Sequence, residues 1–242
     1  MSHNESFDEI NEILPAIILV RLDSQRLPGK ALLEINHTKL IEFPLKALAS
    51  QKSFRPIIAT SDRKLDDPLE ELAKKYHIEI FRGELNNVAQ RVCDCIQYYQ
   101  LNSFARINGD SPFLQTDLLL KGYKIFLENQ LDFITNLLPR TFPYGISLEI
   151  FNAKVFLDHM NHTKDSYHTE HITSFFYKNK DQFNFQNISM GEKIDASNVH
   201  LTVDTKQDFD FFEKMLNFDN SILNKGLDDI ILLYKTLRKD SL

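Results

Sequence analysis

Short apolar runs alternate with longer amphipathic stretches through the first 107 residues, and that alternation restricts the fold more than any other feature. Residues 16–20, 57–60, 77–81 and 104–107 read as strands, and the first two are apolar nearly throughout, as strands buried on both faces are. Between them, residues 40–50, 67–76 and 87–100 carry helical apolar spacing. Asp67 reads as the N-cap of the second helix with Pro68 at its first helical position, while Pro44 is compatible only with a first turn. Strand and helix alternating at this spacing build βαβ crossovers and a mostly parallel sheet. Ligands of such sheets gather at the carboxyl ends of the strands, where the loops after Val20, Thr60 and Ile107 open.

The second half is less regular. Helices are expected over 116–129, 168–179, 207–216 and 227–238, and strands over 132–135, 146–151, 183–188 and 199–203, with a proline-punctuated loop at 139–144. No linker separates two independent units. The reading is one domain over 14–242, preceded by a flexible lead at 1–13, with residues 139–190 forming a small second-half lobe. The fold class is α/β, a three-layer Rossmann-like sandwich of helices about the sheet.

Composition narrows the function. A net charge of −6 over 242 residues argues against a nucleic-acid surface, which needs a basic patch to release counterions. Cys93 and Cys95 lie one residue apart on different helix faces, too constrained for an ordinary disulfide, and no second cysteine pair exists for zinc. The first 11 residues lack the cationic start and apolar core of a signal peptide, and no apolar run approaches the roughly 18 residues of a membrane span. The expectation is a cytoplasmic protein with no membrane partner.

The loop after the first strand carries the chemistry. Arg21, Arg26 and Lys30 supply charged donors, and Gly29 lets backbone N–H groups approach an anion closely, so the loop suits phosphate. An ordinary basic surface loop is the competing reading. It is not a P-loop, because Lys30 is followed by Ala31 and the required first glycine position holds Ser24. Asp110, after the strand-end pair Asn108-Gly109, is the best candidate for a metal ligand, against the alternative of a turn aspartate capping a helix at Pro112.

The order of these residues resembles a known pattern. Arg21-x-x-Ser24-x-Arg26-Leu27-Pro28-Gly29-Lys30 is similar to the signature R-x-x-S-x-R-L-P-G-K of the sugar cytidylyltransferases, which include the acylneuraminate and 3-deoxy-manno-octulosonate enzymes. The nearest branch is the one called spore coat polysaccharide biosynthesis protein F-like. Arg106 to Pro112 resembles R-I-T-G-D-C-P, with Asn108 for Thr and Ser111 for Cys, and Leu201 to Asp208 resembles L-T-V-D-T-P-E-D. The resemblance implies a nucleotidyltransferase fold in which Arg21, Arg26 and Lys30 hold CTP phosphates and Asp110 and Asp204 bind Mg²⁺. Leu22, Ser24, Gly29, Ser61, Asp62, Arg91 and Asn108 would line the nucleotide. Thr205 with Asp208 reads as a helix cap instead.

Arg140, Tyr144, Glu149 and His171 fall in segments resembling P-R-T-Y-P-D-G, V-E-V-F and R-E-H-V-T, which implies acceptor binding. Tyr144 stands where the family often has Asp, and Thr169 where it has Arg, so the acceptor is expected to differ. The implied reaction is Mg²⁺-dependent transfer of CMP from CTP to a sugar-like, acidic or phosphorylated acceptor, releasing pyrophosphate for cell-surface glycan synthesis. A homodimer is implied too, with the Phe-rich stretch from Phe175 to Phe185 at its interface or, as simply, in the core. The rivals are a metal-dependent glycosyltransferase, which wants D-x-D where this chain has Asp110-Ser111-Pro112, and a non-catalytic nucleotide-sugar binding module.

Overall fold

The computed structural model describes residues 12–161, 163, 165–191 and 196–239. The lead expected over 1–13 lies, up to residue 11, outside the described residues. The first strand, β1 (Leu14–Leu19), pairs in parallel with β4 (Phe54–Ser61) on one side and β6 (Ser103–Asn108) on the other. Beyond β4 lies β5 (Glu79–Gly83), also parallel. Helices α1 (Glu42–Ala49), α2 (Asp67–Tyr76) and α3 (Val88–Tyr98) make the connections. The register sets Leu19 opposite both Ala59 and Asn108, so the loops that follow β1, β4 and β6 share one edge of the sheet.

Side-chain alternation on β1 decides which helix covers which face. Leu14, Ala16 and Ile18 pack with α1, α2 and the helix α4 (Thr116–Glu128), through Leu45, Leu72 and Leu119 among others. Ile17 points the other way, into a cluster with Val92 and Ile96 of α3 and with α5 (Ala153–Met160) and α7 (Ser174–Lys178). Burial on both faces explains the unbroken apolar run in the sequence.

The far half of the sheet departs from the sequence reading. Strand β8 (Glu149–Asn152) begins three residues later than the expected 146–151 and runs antiparallel to both β6 and β7 (Phe133–Thr135). β9 (Phe185–Asn187) then pairs in parallel with β7, giving the order β5-β4-β1-β6-β8-β7-β9. The helix expected over 168–179 is broken into α6 (Ser166–Glu170) and α7, with His171 closing the first piece at ψ 70°. Residues 199–203 form no strand; a single bridge joins His200 to Tyr144. A hairpin of β2 (Glu34–Ile35) and β3 (Thr38–Lys39) was not expected. Its turn holds Asn36 and His37 at φ 50° and 61°, the positive values that a tight two-residue turn requires.

Two helices close the chain, α8 (Lys206–Phe218) and α9 (Leu227–Lys239), packed on Phe113, Phe142 and Val203 in a third apolar cluster. Thr205 and Asp208 form a reciprocal capping box at the start of α8, as their spacing indicates. Pro44 sits in the first turn of α1. In α2 the cap is Asp66, not Asp67, and its carboxylate is used elsewhere. The Phe-rich stretch packs inward: Phe176 is fully buried, and Phe183 and Phe185 lie against Phe133.

Candidate nucleotide-binding site

The loop from Val20 to Lys30 is tied at three points. Val20 N–H donates to Ala59 O at 3.4 Å, Leu22 N–H donates to Asp66 Oδ1 at 2.8 Å, and Gly29 N–H returns to Leu22 O at 2.9 Å. The last bond closes the loop on itself and needs Gly29 in the left-handed region, at φ 69°. Asp66 is fully buried, and its second oxygen accepts from the Ser61 hydroxyl and from Arg63. A buried carboxylate thus fixes the base of the loop to the end of β4.

Around this anchor the charges alternate. Arg63 also pairs with Asp23 at 2.8 Å, and Arg21 lies 3.2 Å from Asp23 and 3.9 Å from Glu170. Burial acts to raise the Asp23 carboxyl, but the Arg63 hydrogen bond and the charges of Arg21 and Arg63 outweigh it and hold the group below its ordinary value.

Asp110 and Asp204 meet although 94 positions separate their numbers, because Val203 N–H donates to Asp110 O at 3.1 Å. Gly109 lets the end of β6 lie close against the start of the loop: a Cβ there would stand 2.8 Å from Ile41 Cδ1 and 3.0 Å from Val20 Cβ. The two carboxylates converge on one nitrogen. Lys30 Nζ donates to Asp110 Oδ2 at 2.6 Å, to Asp204 Oδ1 at 2.9 Å and to Val203 O at 2.9 Å. Arg26 reaches the same Asp204 oxygen at 2.8 Å. Asp208 takes no part, since its carboxylate accepts from the Asp204 and Thr205 amides.

These groups line a cleft of about 490 Å³ at the sheet edge. Of the residues the sequence singled out, Arg21, Ser24, Arg26, Lys30, Arg91, Asp110, His171 and Asp204 face it. Leu22, Gly29 and Ser61 lie outside the lining and take part through the bonds above, which hold the loop. Asp62 is exposed and outside the lining, with its amide on Gly83 O, and Asn108 ends β6 with its carbonyl accepting from Ser111 N–H. Arg140 and Tyr144 stand apart from the cleft: the guanidinium lies 4.8 Å from the Tyr144 ring, which stacks on His200.

Two arginines stand out. Arg91 is 2% exposed and, among the described residues, its side chain donates to Glu84 O while Nε finds no partner; burial, with Arg21 nearby, pulls it down to about 10, still charged at neutral pH. Arg106 lines the cleft, yet the sequence reading used it only as the first letter of a motif. Its Nη1 donates to Glu149 Oε2 at 2.5 Å, and the other Glu149 oxygen accepts from the Tyr177 hydroxyl. Glu149 is therefore buried outside the cleft lining, bonded to Arg106, which is part of it. Burial works against the Arg106 charge, but Glu149 outweighs it and the guanidinium is held above its ordinary value. Desolvation and the same carboxylate push the Tyr177 phenol well up, so it stays neutral. Glu170 and Gln25 also line the cleft; the sequence reading carried Glu170 only as the second letter of the segment resembling R-E-H-V-T, and Gln25 only as a free position of the loop signature. Asp66 carried no signal beyond lying next to Asp67.

A mostly parallel α/β sheet with a cation-rich loop after its first strand, facing an acid pair at the same edge, defines a nucleotidyltransferase-like class. The family model described as cytidylyltransferase matches residues 15–234, and the chain belongs to that family, the CTP-dependent nucleotidyltransferases. Spore coat polysaccharide biosynthesis protein SpsF of Bacillus subtilis is 29% identical over 208 residues, 83% of this chain and 85% of that one. A cytidylyltransferase structure from Leptospira borgpetersenii superposes with a TM-score of 0.85 at 29% identity, covering 95% of this chain and 96% of that one. CMP:2-keto-3-deoxy-manno-octonic acid synthetase complexed with CTP shares the fold, with a TM-score of 0.64 at 12% identity over 86% of this chain and 99% of that one.

Proposed function

We propose that this enzyme transfers CMP from CTP, with Mg²⁺, to a sugar-like, acidic or phosphorylated acceptor, and that it serves cell-surface glycan synthesis. The observation that carries this reading is the convergence of Asp110 and Asp204 on a single cationic nitrogen beneath the Arg21–Lys30 loop. The spore coat polysaccharide role of the Bacillus relative supports the glycan assignment.

The donor set fits magnesium. Among the described residues no cluster of three or more His, Cys, Asp or Glu forms a cage, and Mg²⁺ characteristically takes one or two carboxylates and fills its shell with phosphate oxygens and water. Asp110 and Asp204 would hold it, and when bound it would supply charge neutralisation at the triphosphate. The chain's own part is positioning. Arg21 and Arg26, at 36% and 66% side-chain exposure, can exchange their carboxylate partners for phosphate oxygens, while the bonds that close the loop hold it in place. An acceptor oxygen attacks the α-phosphorus, the bond from that phosphorus to the bridging oxygen breaks, and pyrophosphate leaves with the electron pair. No protein nucleophile is needed. Arg106, paired with Glu149, lines the same cleft and is available to an anionic group of the acceptor.

No helix of the described residues is long and apolar enough to cross a membrane. We place the enzyme in the cytoplasm and expect a homodimer, which light scattering at micromolar concentration checks. The functional test is calorimetric titration with CTP, UTP, GTP and ATP, with and without Mg²⁺, beside Asp110→Ala. Selective CTP binding that needs Mg²⁺ and weakens in the variant is the expected result, followed by pyrophosphate release when acidic sugars are screened. Preference for a nucleotide-sugar, or Mg²⁺-independent binding, overturns the reading.

A further inference from the structure

The ammonium of Lys30 has three N–H donors, and all three are engaged: one on Asp110, one on Asp204 and one on the Val203 carbonyl. A lysine in this position has nothing left to give a phosphate. The side chain is only 12% exposed, so water does not share the arrangement out. From this donor count we propose that Lys30 is a resident cation that closes the Asp110–Asp204 pair to divalent ions until a nucleotide draws the lysine away. The inference rests on the metal role proposed above and adds an order of events to it.

The charge balance supports exchange rather than coexistence. Asp110 and Asp204 carry two negative charges, and Lys30 with Arg26 carries two positive ones, all within 2.6–2.9 Å. Transfer of both cations to a triphosphate leaves two carboxylates facing each other with no counter-charge, a state that like-charge repulsion disfavours. One divalent ion restores neutrality. Conversely, a divalent ion arriving first must displace Lys30 from two charge-assisted hydrogen bonds while the lysine gains no phosphate in return.

The chain is built to let Lys30 leave. The lysine follows Gly29, whose left-handed backbone has open space around it, and carries a flexible four-carbon stem. Arg26 is 66% exposed at the rim. The backbones of all three residues are held, Asp110 through its carbonyl on Val203 N–H, Asp204 through its amide on Asp208 and Lys30 through its amide on Leu27 O, so any exchange falls to the side chains, of which the lysine's is the longest. The moving part is the cation.

The consequence is thermodynamic coupling between metal and nucleotide that passes through one side chain, of the 5- to 150-fold size usual for coupled sites. The test titrates Mn²⁺ by electron paramagnetic resonance, and Mg²⁺ by calorimetry, into nucleotide-free wild type, Lys30→Met and Lys30→Met/Asp110→Asn. Lys30→Met should bind either ion about tenfold more tightly than wild type, and the double variant should lose the gain. No gain in Lys30→Met, or a gain that survives in the double variant, overturns the inference.

A second measurement on the unaltered protein guards against a folding defect in the variant. The Lys30 ammonium resonance in ¹⁵N-labelled wild type should shift when CTP is added in the presence of chelator, and stay in place with Mg²⁺ alone. Displacement by Mg²⁺ alone also overturns it. Wild type that binds Mn²⁺ only with CTP and releases pyrophosphate, while Lys30→Met shows no gain, removes this inference and leaves the proposed function standing. Absence of any metal binding with CTP removes both.

Discussion

Replacing Glu149 by leucine isolates the cost of an unbalanced buried cation. Glu149 is 1% exposed, accepts from Arg106 at 2.5 Å and accepts from Tyr177 with its other oxygen. Among the described residues Arg106 Nε already lacks a partner, so after the substitution its guanidinium also loses the hydrogen bond it donates to Glu149 and the charge of that carboxylate. Arg140 draws on the same negative charge and loses it too. Removing one member of a buried ion pair costs about 3–5 kcal/mol. The cleft leaves 21% of the Arg106 side chain open to water, which relieves part of the charge and sets the expectation at about 3 kcal/mol. Tyr177 keeps Thr135 Oγ1 at 3.2 Å and adds little.

At about 2–4 °C per kcal/mol for a chain of this size, Glu149→Leu should melt about 6–12 °C below the parent. The assay is a double-mutant cycle of Arg106→Met and Glu149→Leu, read by calorimetry and urea denaturation. If the stranded guanidinium is the source, the double variant recovers at least about 1.5 kcal/mol relative to the sum of the singles. A Glu149→Leu protein that melts within about 2 °C of the parent, or a double variant with no recovery, refutes the reasoning.

Three other outcomes follow from the same reading of burial and space. The Glu42 carboxyl lies at about 2, because hydrogen bonds from Tyr76, Lys75 and the Lys39 amide outweigh the burial that would raise it. Its folded value is below its ordinary 4.5, so its contribution, about 3 kcal/mol, is present above pH 4.5 and is lost as pH falls toward 2; Glu42→Gln should flatten that limb of stability against pH. Gly109→Ala should cost about 1–3 kcal/mol in urea, since its Cβ meets Ile41 and Val20 and must also clear Leu19 O at 3.3 Å; an unchanged midpoint counts against the close approach. Cys93 and Cys95 are buried and pushed up to about 12, so Ellman's reagent at pH 8 should leave both untouched until denaturant is added, and a fast native reaction contradicts their placement.

The parallel half of the sheet was legible because each of its strands is flanked by a helix of matching amphipathic period, and only one architecture buries both faces of such strands. The antiparallel half was not. An apolar alternation such as 146–151 reports a buried face but carries no information on strand direction, and β8 is inserted between β6 and β7 against the order of the chain. The break at residues 171–173 has neither Gly nor Pro to announce it; α6 ends where His171 leaves helical geometry at ψ 70°. Residues 199–203 look like a strand but spend their backbone on loops, with Tyr144 on one side and Asp110 on the other.

The candidate site divides along the same line. Arg21, Arg26, Lys30, Asp110 and Asp204 were identified by residue type and motif, and the structure gathers all of them at one edge. Which of them touch was beyond the sequence. Lys30 lies 80 residues from Asp110 and 174 from Asp204, and their meeting is decided by β6 lying next to β1 and by one hydrogen bond from Val203 to the Asp110 carbonyl. A motif assigns a lysine the ligand its neighbours in the chain imply; the sheet order gives it competing carboxylates. The order of binding proposed above rests on that competition, which exists only because a loop cation and two acids from distant segments, Asp110 just beyond β6 and Asp204 just ahead of α8, open onto the same edge.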